Sequence, residues 1–155
     1  MPEGSSPEWV PLIDVTLEEP AVYVSADVDI NGKPFSVKEI YYVVKIIKEP
    51  DNTNARYIGV GIPNNLGIAV RGVSLMLDVK TDNVLHGLIT LCGTQLRSVS
   101  SYKGSNEYEA NGRGPYGGVL NGSDIGVTEM TNISVGFTSS AHQMLAGSIV
   151  KVWGR

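Results

Sequence analysis

Apolar and polar residues alternate with a period of two along several short segments of the chain. The clearest case is 131–138, where Ile133, Val135 and Phe137 alternate with polar or small residues. A period of two places the apolar side chains on one face of a β-strand. The same pattern recurs at Val22, Val24, Ala26 and Val28, and at Val73, Leu75, Leu77 and Val79. These segments therefore predict strands that bury one face.

Glycine and proline break the chain at short intervals, and the segments between them are rich in Val, Ile, Thr and Tyr. Such punctuation is typical of many short strands joined by turns. Besides the alternating segments, we predict strands at 10–16, 40–48, 56–62, 87–92, 96–102 and 148–153. About nine strands at this spacing predict an all-β chain, folded as an antiparallel β-sandwich of jelly-roll-like type.

The predicted strands at 40–48 and 148–153 are apolar on both faces. The outer face of an antiparallel sandwich normally meets water, so a strand that is apolar on both sides needs a second cover. Either loops of the same chain or a neighbouring subunit could supply that cover. On the second alternative, the residues predicted to lie at a subunit interface are Tyr41, Val43, Ile149 and Trp153.

Composition narrows the class of protein further. The chain has 155 residues, of which 42% are hydrophobic and 18% charged, which fits one folded domain rather than a disordered chain. We predict a disordered leader, or the stub of an attached segment, at 1–8 and a single domain at 9–155. The net charge is -4 and no basic stripe occurs, so nucleic acid is not an expected partner. No apolar run approaches the ~20 residues of a spanning helix, so no membrane association is expected.

The only cysteine, Cys92, lies within an apolar run. A lone cysteine cannot form an internal disulfide, and its place in the run predicts a small buried core residue. A reducing cytoplasm is therefore the expected place of synthesis.

No sequence signature of an enzyme stands out. The nucleophile motif G-x-S-x-G is missing, and neither histidine lies in a catalytic motif. No cofactor is expected. The residues Asp27, Asp29, Asn31 and Gly32 match the opening of a calcium loop, but Lys38 occupies the twelfth position, where a glutamate should complete it. Asn31–Gly32 is also a strong hairpin signal, so a turn is the favoured interpretation over a calcium site.

The longest stretch without a strand pattern is 103–126, which is rich in glycine. Long loops in compact domains are usually functional. Tyrosine rings can stack on sugar rings, and arginine and aspartate can bind hydroxyl groups. The candidate ligand-binding residues in this stretch are Tyr108, Arg113, Tyr116 and Asp124. The alternative is a loop that packs its own tyrosines.

Two segments resemble known proteins. The segment 132–155 reads NISVGFTSSAHQMLAGSIVKVWGR. It resembles the closing hairpin of many structural proteins of tailed bacteriophages, in which an alternating strand leads to an Ala-Gly-Ser turn and a strand ending in an aromatic residue and glycine. Trp153 stands where tyrosine is more usual. The match is carried by Ile133, Val135, Phe137, Ala146, Gly147, Ser148 and Gly154. The segment 9–47, with LIDVTLEEP followed by DINGKPFSVKEIYY, looks like the opening of phage virion proteins.

The resemblance implies a jelly-roll or tumour-necrosis-factor-like sandwich that forms homotrimers in the virion. Its leading implication is a tail-fibre or receptor-binding head that recognises host-surface saccharide without catalysis. The alternative is a capsid decoration or head-fibre protein that binds other virion proteins. An enzyme such as a polysaccharide depolymerase is a third possibility, and it would need two acids, or an acid and a histidine, in one groove. Because these families share a fold and no site motif, no binding residue is carried over.

Overall fold

The computed structural model describes residues 8–27, 29–30, 33–34, 37–47, 56–63, 69–77, 83–103, 116–137 and 142–155. The regular secondary structure within these ranges is all β-strand, which confirms the all-β prediction. No helix long and apolar enough to cross a membrane occurs in this part of the chain. Residues 1–7 of the predicted leader lie outside the described ranges.

The described ranges contain twelve strands, and their pairings are antiparallel throughout. The strands are β1 Val10–Thr16, β2 Tyr23–Asp27, β3 Asp29–Ile30, β4 Lys33–Pro34, β5 Glu39–Ile46, β6 Arg56–Pro63, β7 Ala69–Leu77, β8 Asn83–Cys92, β9 Gln95–Lys103, β10 Tyr116–Asp124, β11 Asn132–Phe137 and β12 Ile149–Gly154.

The strand order is that of a jelly roll. One sheet has six strands in the order β1-β12-β5-β8-β9-β10, and a second has four in the order β2-β11-β6-β7. The pairs β1 with β12, β2 with β11, β5 with β8 and β6 with β7 are nested, as if one long hairpin had been rolled up. These eight strands form the framework of the predicted sandwich. The strands β9 and β10 extend the six-stranded sheet, and β3 with β4 forms a separate two-stranded ribbon.

The core lies between the two sheets and follows the period-two pattern. In β5 the residues Ile40, Tyr42, Val44 and Ile46 are buried, and their neighbours along the strand are more exposed. The same core contains Val150 and Val152 from β12, and Ile133 and Val135 from β11 of the other sheet. Burying each such side chain contributes about 1.5–3 kcal/mol, so the inward alternation stabilises the stacking of the two sheets.

The strand β10 corrects the prediction of a loop over 103–126. It occupies Tyr116–Asp124 and pairs with β9 from Tyr116 opposite Tyr102 to Asn121 opposite Arg97. Three of its nine residues are glycine, and its hydrophobic residues are Tyr116, Val119 and Leu120, which do not alternate, so sequence reveals no period of two there. Backbone hydrogen bonds to β9 do not depend on side chains, which is why such a strand can form at the edge of the sheet.

Cys92 is exposed, so the prediction of a buried core cysteine is wrong. The reason is the phase of β8: Leu91 is buried, and the next residue in a strand points to the opposite face. Cys92 is also the last residue before the turn at Gly93, whose φ of 61° suits glycine.

The exposure of Cys92 predicts that iodoacetamide alkylates the native protein at one thiol per chain. The rate in buffer should match the rate in 8 M urea within about threefold, because an exposed thiolate is equally available in both states. Mass spectrometry of timed samples measures both rates. A native protein that reacts only after unfolding would contradict the outward position of this residue.

Candidate functional site

A continuous row of apolar residues crosses the outer face of the six-stranded sheet. Strand pairing places Pro11 opposite Trp153, Trp153 opposite Tyr41, Tyr41 opposite Leu88, and Leu88 opposite Val99. We call these five residues the apolar row. By register, Val99 is opposite Val119 of the edge strand β10. Tyr41 is 39% exposed and Val99 is 57% exposed, so much of this surface faces solvent in the isolated chain.

The aromatic rings at one end of the row pack against one another. The ring centroids of Tyr41 and Trp153 are 5.6 Å apart with an interplanar angle of 28°. Trp9 meets Tyr41 edge-on at 6.4 Å, and the guanidinium carbon of Arg155 lies 4.5 Å from the centroid of the Trp9 ring. The facing sides of the Tyr41 and Trp153 rings are thus covered by each other, which leaves less aromatic face for a sugar ring to stack on.

Charged side chains flank the row along the strands. Arg155 forms an ion pair with Glu39, two residues before Tyr41. Lys151, two residues before Trp153, lies 3.8 Å from Asp14 on the neighbouring strand, and both are well exposed. An exposed ion pair such as that of Lys151 with Asp14 contributes little to stability. The arrangement of these charged side chains around an apolar centre is the usual anatomy of a protein interface, in which a polar rim surrounds an apolar core.

The four residues predicted at a subunit interface all lie on this outer face. Tyr41 and Trp153 belong to the apolar row itself. Val43 lies next to Tyr41 on the same face, opposite Lys151, and Ile149 lies one position further along that face, opposite Lys45. All except Tyr41 are partly buried in the isolated chain. The structure thus brings the predicted residues together, and their cover by a second subunit stays a prediction.

The outer face of the four-stranded sheet differs in character. Ser25 and Ser134 are opposite each other there, and Asn132 lies on the same side of β11. Tyr23 is 60% exposed at the edge strand β2. A polar outer face is the expected state of an antiparallel sandwich. On the described side chains of β2 and β11, therefore, the outer face lacks the continuous apolar row of the six-stranded sheet.

Sequence reasoning missed four members of this surface: Pro11, Leu88, Val99 and Trp9. On β9 the other described outward residues are polar, and on β8 apolar and polar residues are mixed on the outward side, so neither strand alone shows a continuous apolar outer face. Only the register, which pairs Tyr41 with Leu88 and Leu88 with Val99, aligns them. Trp9 precedes β1 and gave no signal beyond its size.

Of the four predicted ligand-binding residues, the structure describes two, and these two lie apart. Tyr108 and Arg113 lie outside the described ranges. Tyr116 and Asp124 are the first and last residues of β10, so eight residue steps separate them, or roughly 25 Å along an extended strand. The Asp124 Oδ1 atom accepts a hydrogen bond of 2.9 Å from the Gly126 N–H, which is a local turn contact.

The calcium candidate falls in a strand region. Asp27 ends β2, where it pairs with Asn132, and Asp29 begins β3. Strands β3 and β4 pair with Ile30 opposite Lys33. Asn31 itself lies outside the described part of the chain. Within that part, no group of three or more His, Cys, Asp or Glu residues could hold a metal ion.

The two histidines lie in different parts of the molecule. His86 is on the outer face of β8, and the ring of His142 is 5.8 Å from that of Phe137, a core residue at the end of β11. Of the surfaces described above, the apolar row with its charged rim suits contact with another protein surface.

The chain was compared with known protein families, curated proteins and solved structures. No family model, no curated protein and no solved structure matches it.

Proposed function

We propose that the chain is a non-catalytic virion protein of a tailed bacteriophage, which assembles as a homotrimer and serves host attachment. The single observation that supports it best is the apolar row across the six-stranded sheet. The jelly-roll strand order agrees with the kind of domain that the segments 9–47 and 132–155 resemble.

Assembly through the outer face would remove the row from water. Each Å² of apolar surface covered contributes about 25 cal/mol, and Trp9, Tyr41 and Val99 are each more than a third exposed. Trp and Tyr are also the residue types that dominate binding energy at protein interfaces. The charged residues Glu39, Asp14 and Lys151 would form the rim.

The attachment role rests on the resemblance. A shallow saccharide site of millimolar to micromolar affinity corresponds to roughly -4 to -8 kcal/mol. Three copies in a trimer, and many trimers on a virion, raise the overall avidity without any new contact. Binding of the protein to an array of host-surface polysaccharides would support this role. An intact trimer that binds none of them would contradict it.

Multi-angle light scattering after gel filtration tests the assembly directly. We expect a mass three times that of the chain at micromolar protein concentration, because the apolar row is a large surface to leave in water. A monomeric mass over the whole concentration range would contradict the proposed trimer.

A second candidate is a capsid decoration or head-fibre protein that binds other virion proteins and no sugar. The mutual stacking of Tyr41 and Trp153 favours this alternative, because it leaves an apolar ridge rather than a flat aromatic platform. Gold labelling of the protein on virions separates the two candidates, since a decoration protein would label the capsid and an attachment protein the tail.

A further inference from the structure

Trp9 lies at the aromatic end of the apolar row, although it precedes the strand β1. The pairing of β1 with β12 begins at Val10 opposite Gly154, one residue after Trp9. The indole is 37% exposed and meets Tyr41 edge-on, with 6.4 Å between the ring centroids. A large side chain just outside a strand has several rotamers open to it, so its place on Tyr41 depends on side-chain contacts.

Arg155 supplies such a contact, and its own position is fixed by the backbone of β5. The Arg155 N–H donates to the Glu39 carbonyl oxygen, and the Arg155 carbonyl oxygen accepts from the N–H groups of Lys38 and Glu39. Its Nε atom donates to the Glu39 carboxylate. The guanidinium carbon lies 4.5 Å from the centroid of the Trp9 ring. Arg155 therefore connects the start of β5 to the residue before β1.

The contacts of the Arg155 guanidinium act in sequence. The side chains of Arg155 and Glu39 are only 32% and 29% exposed, so solvent screens their ion pair less than a fully exposed one. The carboxylate orients the guanidinium group. That planar group then lies over the indole, a geometry in which arginine is attracted to an aromatic ring. The orientation of Trp9 is thus determined by a residue that does not belong to the apolar row.

We propose that Arg155 is a positioning residue for self-association, which holds the Trp9 ring against Tyr41 before a second copy arrives. The proposal rests on the trimer of the proposed function. A side chain that is already ordered in the free chain loses less conformational entropy on assembly. Trp9 matters most in this respect, because tryptophan is among the residue types that dominate binding energy at interfaces. Without the guanidinium, each copy should associate about two- to tenfold more weakly.

Sedimentation equilibrium tests the proposal through the monomer–trimer constant of the wild type, R155Q, W9L and the double variant W9L/R155Q. Because three copies each lose the contact, R155Q should lower this constant about 10- to 1,000-fold. W9L keeps an apolar side chain but offers the guanidinium no ring. If Arg155 acts through Trp9, adding R155Q to W9L should change the association of each copy by less than about twofold.

Two further variants control for charge and for folding. K38Q removes a positive charge from an exposed residue next to Glu39 and keeps the guanidinium, so it should associate like the wild type. R155K keeps a cation that can pair with Glu39 but has no planar group, so its constant should lie between those of the wild type and R155Q. Urea midpoints show which variants are folded, and R155K carries the test if R155Q is not.

Fluorine NMR gives a readout of the Trp9 ring itself. The chain has two tryptophans, so 5-fluorotryptophan gives two signals, and W9F identifies the one from Trp9. In R155Q we expect the Trp9 signal to move towards its position in the urea-unfolded chain, because the ring is no longer held. The Trp153 signal should move less, since that ring stacks on Tyr41.

The outcomes separate the positioning role from the trimer. A trimeric wild type whose association is unchanged by R155Q, or a Trp9 signal that does not move in R155Q, overturns the role of Arg155 and leaves the trimer intact. A loss in R155Q that persists in full on the W9L background shows that Arg155 does not act through Trp9, and also overturns the proposal. A wild type that is monomeric at every concentration contradicts the trimer itself.

Discussion

Replacing Gly136 with alanine is expected to lower the free energy of unfolding by about 2–4 kcal/mol. Gly136 has a φ of 152°, which side chains other than glycine rarely adopt. An added Cβ would overlap the carbonyl oxygen of Val22 and would lie 2.5 Å from the Cα of Tyr23. That carbonyl accepts a 2.8 Å hydrogen bond from the Phe137 N–H, so it cannot move aside without weakening the contact between β11 and β2.

Gly93→Ala is the matched control for this substitution. Gly93 also has a positive φ, of 61°, but a Cβ there would meet no atom within 4 Å. Gly93→Ala should lower the free energy of unfolding by only about 1 kcal/mol, which is the cost of placing alanine in the left-handed backbone conformation. Urea unfolding followed by tryptophan fluorescence measures both variants. Equal losses at the two positions would mean that the close approach of β2 to Gly136 does not determine stability.

The strands could be predicted from sequence wherever one face of a strand is apolar and the opposite face is polar. The pattern at 10–16 predicts β1 with its observed bounds, and the alternation of Ile133, Val135 and Phe137 predicts β11. The pattern failed for β10, whose glycines carry no alternation and whose pairing depends on backbone atoms alone. It also failed for Cys92, because an apolar run such as Leu91-Cys92 does not reveal which residue faces outwards.

The period-two pattern predicts only part of the apolar row. Tyr41 and Trp153 could be identified because each belongs to a strand that is apolar on both faces. Leu88 and Val99 could not, because a row across a sheet is a property of register, and register depends on partners that are distant in the chain. The prediction that groups Tyr116 with Asp124 fails for the opposite reason. The two residues are close in sequence, but they are separated by the length of a strand.

The apolar row matters for assembly only if a charge placed in it prevents assembly, and Val99→Glu is expected to do so. Val99 is 57% exposed, so the substitution should change the stability of the isolated chain by no more than about 1 kcal/mol. In a trimer that covers the row, each copy would bury an unpaired carboxylate. A buried charge without a partner costs about 3–5 kcal/mol. This cost corresponds to association weakened more than about a hundredfold for each copy.

Tyr23→Glu is the control for Val99→Glu, because Tyr23 is similarly exposed at 60% but lies on β2 of the other sheet. Light scattering at the same protein concentration should give a trimer for Tyr23→Glu and a monomer for Val99→Glu, with unchanged urea midpoints for both. If Val99→Glu remains trimeric, the copies associate through another surface. If Tyr23→Glu dissociates as well, added charge anywhere on the molecule is sufficient, and the outer face of the six-stranded sheet has no special part in assembly.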